Sequence, residues 1–154
     1  MSPVQLSSTL REPLTEVLAV HCSDYRFIDG YHEFLSVNLG LKGNYDLLAV
    51  PGGPQSLTLV EYKPGHSAAC FAWSRFLVEA HALKRLILFQ HQDCAWYEGI
   101  PLHYHASPEL RQRQEQDLRR LQSTVGKEFP HLKVECFYVG WGPDKHIVVD
   151  RIDV

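Results

Sequence analysis

The stretch EVLAVHCSDYR, residues 16–26, begins as an apolar run and ends in polar and thiol side chains. Its first part, Glu16 to Val20, is rich in Val and Leu, which is typical of a strand buried on both faces of a parallel sheet. Similar runs predict three more buried strands and a final strand at the sheet edge. They are Asp46 to Val50 (DLLAV), Arg85 to Phe89 (RLILF), Lys133 to Val139 (KVECFYV) and His146 to Ile152.

Helical patterns separate these strands. The first predicted helix, Gly30 to Leu39, has Gly40 as its C-terminal stop, and the second covers His66 to Leu83. The third covers Pro108 to about Lys127, with Ser107 as its N-cap. We expect the second helix to bury one stripe, composed of Ala69, Ala72, Trp73, Phe76, Ala80 and Leu83, and the third to bury Leu110, Leu118, Leu121 and Val125.

The alternation of strands and helices predicts the fold class. Parallel strands joined by right-handed crossovers form an open sheet with helices on both faces. We therefore expect one α/β domain over residues 1–154, built in three layers around a mostly parallel central sheet of four to five strands. With 45% hydrophobic residues, a chain of 154 residues can form such a core without disulfides.

Charge and composition limit the partners. The formal net charge is −3 and no basic run is long enough to follow a phosphate backbone, which argues against nucleic acid. No segment approaches the roughly 18 apolar residues that a membrane span requires. We expect a soluble, cytoplasmic protein, and in that reducing compartment the four cysteines are thiols or metal ligands.

A metal site is predicted at the carboxyl ends of the first and third strands, where sheets of this class bind ligands. Cys22 directly follows the first strand, and His91 and Cys94 follow the third. Two thiolates and one imidazole suit Zn²⁺ and leave a fourth tetrahedral position open, which is the pattern of catalytic zinc. The alternative is two separate core cysteines and a capped histidine. Cys70 and Cys136 are interpreted as core residues.

Asp24 and Arg26 lie two residues apart beyond the first strand, so their side chains can pair and keep the carboxylate ionised. The alternative is an exposed loop salt bridge. His103 and His105 could bind metal or carry protons, but we favour a solvated loop.

The ordered motifs Cys-x-Asp-x-Arg and His-x-x-Cys resemble those of the β-class carbonic anhydrases, over roughly Leu14 to Trp96. The resemblance implies zinc held by Cys22, His91 and Cys94, with Asp24 and Arg26 as a catalytic dyad. It also implies interconversion of CO2 and bicarbonate through a zinc-bound hydroxide. A homodimer or higher homo-oligomer is implied as well.

The chain departs from that family in two places. The turn Val50 to Gln55 lacks the family's arginine. Gln90 and Ala95 replace the glycines that flank His-x-x-Cys, and we expect their side chains to crowd the backbone near the metal. Two alternatives therefore stay open: a related zinc hydrolase of carbonyl sulfide or carbon disulfide, and a catalytically inactive metal-binding or regulatory relative. A tyrosine-phosphatase loop is excluded because Ile28 stands where its arginine would be, and a thioredoxin site because the chain has no Cys-x-x-Cys.

Overall fold

A five-stranded sheet forms the centre of the fold. The computed structural model describes residues 3–10, 12, 14–58, 64–99 and 110–153. The strands are Val17–His21 (β1), Asp46–Ala49 (β2), Arg85–His91 (β3), Lys133–Trp141 (β4) and Ile147–Ile152 (β5). They lie in the order β2-β1-β3-β4-β5; β1 to β4 are parallel and β5 is antiparallel to β4. This confirms the predicted α/β class.

Among the described residues, four α-helices accompany the sheet. They are Ile28–Glu33 (α1), Pro64–His81 (α2), Ala95–Glu98 (α3) and Leu110–Glu128 (α4). α1 begins two residues before the predicted start and continues as a π-turn, Phe34–Asn38. Gly40 follows with φ +68°, as its predicted role as a C-terminal stop requires. None of the described helices is long and apolar enough to cross a membrane.

Alternating strand side chains form two cores, one on each face of the sheet. On one face, Leu18 and Leu88 pack with residues of α2 and α4. On the other, Ala19 and Phe89 pack with Tyr31 of α1. The three layers are therefore helix, sheet and helix, as predicted. Leu118, Leu121 and Val125 of α4 are buried as expected, as are Cys70 and Cys136.

The predicted buried stripe of α2 is wrong for four of its six residues, whereas Leu83 is buried as predicted, two residues beyond the end of α2. Trp73 is 53% exposed and Phe76 is 68% exposed, and Ala72 and Ala80 also face outward. The buried face consists instead of Ser67, Cys70, Ser74 and Val78. Small side chains on this face let the helix lie close to the sheet, a packing requirement that hydrophobicity alone does not express.

Two predictions on polar segments fall outside the described residues. They are the solvated loop with His103 and His105, and the N-cap role of Ser107 before Pro108. They stay sequence predictions.

The buried carboxylate of Glu135 on β4 forms ion pairs with two more exposed basic side chains. Its carboxylate is 6% exposed and lies 2.7 Å from Lys133 Nζ and 2.8 Å from Arg85 Nη2. Burial alone would raise the pKa of Glu135, but the hydrogen bonds from Lys133 and Arg85 lower it overall. A lowered pKa means that the stabilisation is present above the ordinary glutamate pKa and is lost as the pH falls.

We expect Glu135→Gln to lower the free energy of unfolding by about 1–3 kcal/mol at pH 7. The variant should also lose less stability than the wild type between pH 5 and pH 3, because it lacks the carboxylate that titrates. Urea unfolding at several pH values measures both effects. Parallel acid limbs for the two proteins would contradict the assigned pKa direction.

Candidate metal centre

Cys22, His91 and Cys94 meet at the carboxyl edge of the sheet. β1 and β3 pair in parallel, with Val20 opposite Leu88, so the segments that follow them are neighbours. The two sulfurs and one imidazole nitrogen of the three residues all lie within 4.8 Å of one another. All three side chains are buried, with His91 fully so. The predicted proximity of these residues is therefore confirmed.

The hydrogen bonding of His91 leaves a free nitrogen for a cation. His91 Nδ1 lies 2.8 Å from the Gln92 carbonyl oxygen, so this nitrogen carries the hydrogen and donates it. His91 Nε2 is buried and has no hydrogen-bond partner. A buried, unpartnered ring nitrogen beside two thiols fits the donor set and the outer hydrogen bond that zinc sites use.

The pKa values of the two thiols shift in opposite directions. A hydrogen bond from the Cys94 thiol lowers the pKa of Cys22, although burial opposes it. The Gly52 N–H, which is 3.3 Å from Cys22 Sγ, also lowers this pKa. The same thiol pair, together with burial, raises the pKa of Cys94. The lowered pKa favours the thiolate form of Cys22, and a cation that binds both sulfurs would displace the proton of Cys94.

The turn after β2 packs closely against the backbone of Cys22. Gly52 and Gly53 have φ angles of +78° and +51°, in the left-handed region that favours glycine. A Cβ on Gly53 would lie 2.8 Å from the Cys22 backbone nitrogen, and one on Gly52 would overlap the Trp96 indole. Two glycines therefore let this turn approach the donor cluster closely.

Asp24 and Arg26 form the predicted pair, and Asp93 joins them. Arg26 Nε donates to Asp24 Oδ1 at 3.0 Å and Nη2 donates to Oδ2 at 2.6 Å. These hydrogen bonds lower the pKa of Asp24, although burial opposes them. Arg26 Nη1 also donates to Asp93 Oδ2 at 3.0 Å, and Nη2 donates to the Asp93 carbonyl at 2.9 Å. The guanidinium thus ties the segment after β1 to the turn between His91 and Cys94.

Sequence reasoning missed Asp93. Its position between His91 and Cys94 is the signal that could have indicated it. An arginine that pairs with one carboxylate still has N–H donors, and a second carboxylate near the site can accept from them. Asp93 has φ +56°, a conformation that aspartate tolerates better than most residues.

An open cleft of about 650 Å³ lies beside the donor cluster. Trp96 forms one wall, and its Nε1 donates to Gln55 Oε1 at 2.7 Å. Ala95 faces the cleft, whereas the Gln90 side chain donates to the buried Tyr97 hydroxyl. The Gln90 side chain therefore does not narrow the cleft. Its lining residues are Cys22, Ser23, Asp24, Tyr25, Arg26, Pro51, Ala95 and Trp96.

Comparisons with known proteins agree with this architecture at the level of fold. No family model matches the chain, and no curated protein matches it in sequence. Solved structures do match. A carbonic anhydrase from Streptococcus mutans aligns with a TM-score of 0.59 at 15% identity, covering 95% of this chain and 88% of that one.

Two fungal enzymes align similarly. The β-carbonic anhydrase CafD of Aspergillus fumigatus has a TM-score of 0.57 at 12% identity and covers 98% of both chains. A tetrameric β-carbonic anhydrase from Sordaria macrospora has a TM-score of 0.52 at 12% identity, covering 93% of this chain and 83% of that one. The chain therefore has the β-carbonic anhydrase fold, with a Cys22, His91 and Cys94 group suited to binding a metal ion.

The close approach of Gly53 to the Cys22 backbone leaves no room for a side chain at position 53. We expect Gly53→Ala to lower the free energy of unfolding by about 2 kcal/mol or more, because alanine is strained at positive φ and its Cβ would press on the Cys22 backbone. Gly65→Ala in α2 is the matched control, since no atom lies within 4 Å of its added Cβ. That variant should keep or slightly gain stability. Equal urea midpoints for the two variants would show that the Gly53 turn does not press on Cys22.

Proposed function

We propose that this protein is a zinc enzyme that interconverts CO2 and bicarbonate. The observation that carries the proposal is the buried donor cluster of Cys22, His91 and Cys94, with the free Nε2 of His91, beside an open cleft. The fold, shared with carbonic anhydrases from several organisms, supports the same reaction. The net reaction is CO2 + H2O ⇌ HCO3⁻ + H⁺.

Zinc is the ion that the donor chemistry favours. Two thiolates and an imidazole are soft to borderline ligands, which select zinc over magnesium or calcium. Asp24 is not part of this cluster, because Arg26 occupies both of its carboxylate oxygens. Three protein ligands with a fourth position left to solvent is the arrangement of catalytic zinc sites. A bound zinc ion would act as a Lewis acid that makes its water acidic near neutral pH.

Asp24 orients the reacting water in this proposal. The carboxylate lines the cleft, and its lowered pKa keeps it ionised at neutral pH. An ionised carboxylate accepts a hydrogen bond from the water and directs the oxygen lone pair toward the carbon of CO2. Arg26 holds Asp24 by side-chain hydrogen bonds from Nε and Nη2 and is itself bonded to Asp93, which restricts the orientation of the carboxylate.

The walls of the cleft suit a small, neutral substrate. Pro51, Ala95 and the Trp96 indole provide apolar surface next to Cys22. CO2 has no charge and needs no arginine clamp, so the absence of the family's arginine from the turn after β2 is compatible with its binding. Carbonyl sulfide and carbon disulfide share these properties and are the alternative substrates.

We also propose a cytoplasmic homodimer or higher homo-oligomer. The exposed Trp73 and Phe76 side chains on α2 offer apolar surface for a second copy, and one matching structure is described as tetrameric. No disulfide joins any of the four cysteines, all of which the structure describes, and this supports a reducing compartment.

Zinc content of cysteine variants tests the ligand assignment. We expect Cys22→Ser and Cys94→Ser each to lose most of the zinc after dialysis against a weak chelator, because serine is a poor zinc ligand. Cys70→Ser is the matched control, since Cys70 is equally buried but lies in the α2 core. Metal analysis of the three purified variants gives the answer. Full zinc in both site variants would refute the assignment.

Turnover of an Asp24 variant tests the catalytic role. We expect Asp24→Asn to retain zinc but to lose about 100-fold or more in CO2 hydration rate, in the range of general acid–base effects. Asp29→Asn, an exposed neighbour outside the cleft, should keep the wild-type rate. Stopped-flow indicator assays measure both variants. An unchanged rate in Asp24→Asn would remove Asp24 from the mechanism.

A further inference from the structure

A buried polar network connects α4 to the elements that carry His91 and Cys94. Its members are Gln90, Tyr97, Gln114 and Asp117, and each is less than 5% exposed. Buried polar groups are costly unless they are hydrogen-bonded, so such a cluster in a small core needs a physical reason.

The contacts of the network reach both ligand segments. Gln90 Nε2 donates to the Tyr97 hydroxyl at 3.0 Å, and this hydroxyl donates to Asp117 Oδ2, also at 3.0 Å. Gln114 Nε2 donates to the His91 carbonyl oxygen at 2.9 Å. One face of α4 thus holds the end of β3 through Gln114 and holds α3 through Asp117 and Tyr97.

α3 needs such support because it is short. It has four residues, Ala95–Glu98, and begins immediately after Cys94. Within it, the Tyr97 N–H donates to the Cys94 carbonyl at 2.9 Å, so the position of the Tyr97 ring and that of Cys94 are coupled. A helix of one turn has too few internal hydrogen bonds to maintain itself, and its position depends on tertiary contacts.

The protonation of the network is consistent with fixed hydrogen bonds. Burial and the neighbouring Asp117 raise the pKa of Tyr97, so its hydroxyl stays protonated and acts as a donor. Burial raises the pKa of Asp117, while Tyr97 and the nearby Arg113 and Arg120 oppose that rise. Arg113 Nε and Arg120 Nη1 both lie 3.6 Å from Asp117 Oδ1.

We propose that Gln90, Tyr97 and Asp117 are positioning residues that set the separation of His91 and Cys94 and thereby tune the affinity and geometry of the metal centre. Gln90 is adjacent to His91 on β3, and Tyr97 is three residues beyond Cys94, so the Gln90–Tyr97 hydrogen bond spans the turn that carries both ligands. Asp117 anchors that bond to α4. The inference rests on the proposed metal site and adds the residues that shape it.

The test compares metal binding by the wild type, Tyr97→Phe and Glu135→Gln. Tyr97→Phe removes one hydroxyl and keeps the ring packing. Competition with a chromophoric chelator gives the zinc Kd, and substitution with Co²⁺ gives the thiolate charge-transfer and d–d bands. We expect Tyr97→Phe to weaken zinc binding by about tenfold or more, which is typical when an outer hydrogen bond of a metal site is lost, and to shift the cobalt bands.

Glu135→Gln is the matched control for stability. It removes another buried carboxylate interaction of the sheet, near the amino end of β4 and away from the metal ligands. It should lower stability while its zinc affinity and cobalt spectrum stay at the wild-type values. If Tyr97→Phe cannot be purified folded, Gln90→Met replaces it, because methionine fills a similar volume without the amide donor, and the same changes are expected.

Each outcome has one meaning. Wild-type affinity and spectra in Tyr97→Phe, or in Gln90→Met, would overturn the positioning role while leaving the proposed zinc enzyme intact. Equal losses of affinity in Tyr97→Phe and Glu135→Gln would assign the network to general stability and also overturn the proposal. A wild-type protein that binds neither zinc nor cobalt would overturn the proposed function together with this inference.

Discussion

The parallel ladder between β1 and β3 is the constraint on which the site depends. It places Val20 beside Leu88, so the chain leaves both strands at one edge of the sheet. Cys22 then meets His91 and Cys94, although the sequence separates them by about 70 residues. The fully buried Ala19 and Ile87 secure this ladder from the α1 face. A shift of one residue in the register would exchange the two faces of a strand and disperse the donors.

Much of the fold was predictable because each strand is marked by its own short stretch of sequence. Apolar runs bounded by turns predicted all five strands, and the alternation with helices predicted the parallel arrangement of the first four. The metal cluster followed from the same topology, since carboxyl ends of neighbouring strands share an edge. The α2 face was not predictable in this way. Large apolar residues suggested Trp73 and Phe76, but close packing selected Ser67, Cys70 and Ser74.

The interactions around the donors had no local signal. Tyr97 and Asp117 are 20 residues apart, and nothing in either neighbourhood indicates that they bond. The Gln90 side chain illustrates the same limit. Its position beside His-x-x-Cys suggested that it crowds the backbone near the metal, whereas its hydrogen bond to the buried Tyr97 hydroxyl directs the side chain into the core. Likewise, Arg26 was expected to hold Asp24, and its second bond to Asp93 was not foreseen. Long-range polar contacts depend on the assembled fold, so sequence patterns do not reveal them.

The most direct test of the account is the CO2 hydration rate of purified wild-type protein whose zinc is quantified in the same sample. We predict about one zinc per chain, as a site with three protein ligands requires, and a hydration rate well above that of buffer. Full zinc without CO2 turnover would contradict the proposed reaction, and an assay with carbonyl sulfide would then distinguish an altered substrate from an inactive centre. Absence of zinc from folded protein would contradict the metal centre itself.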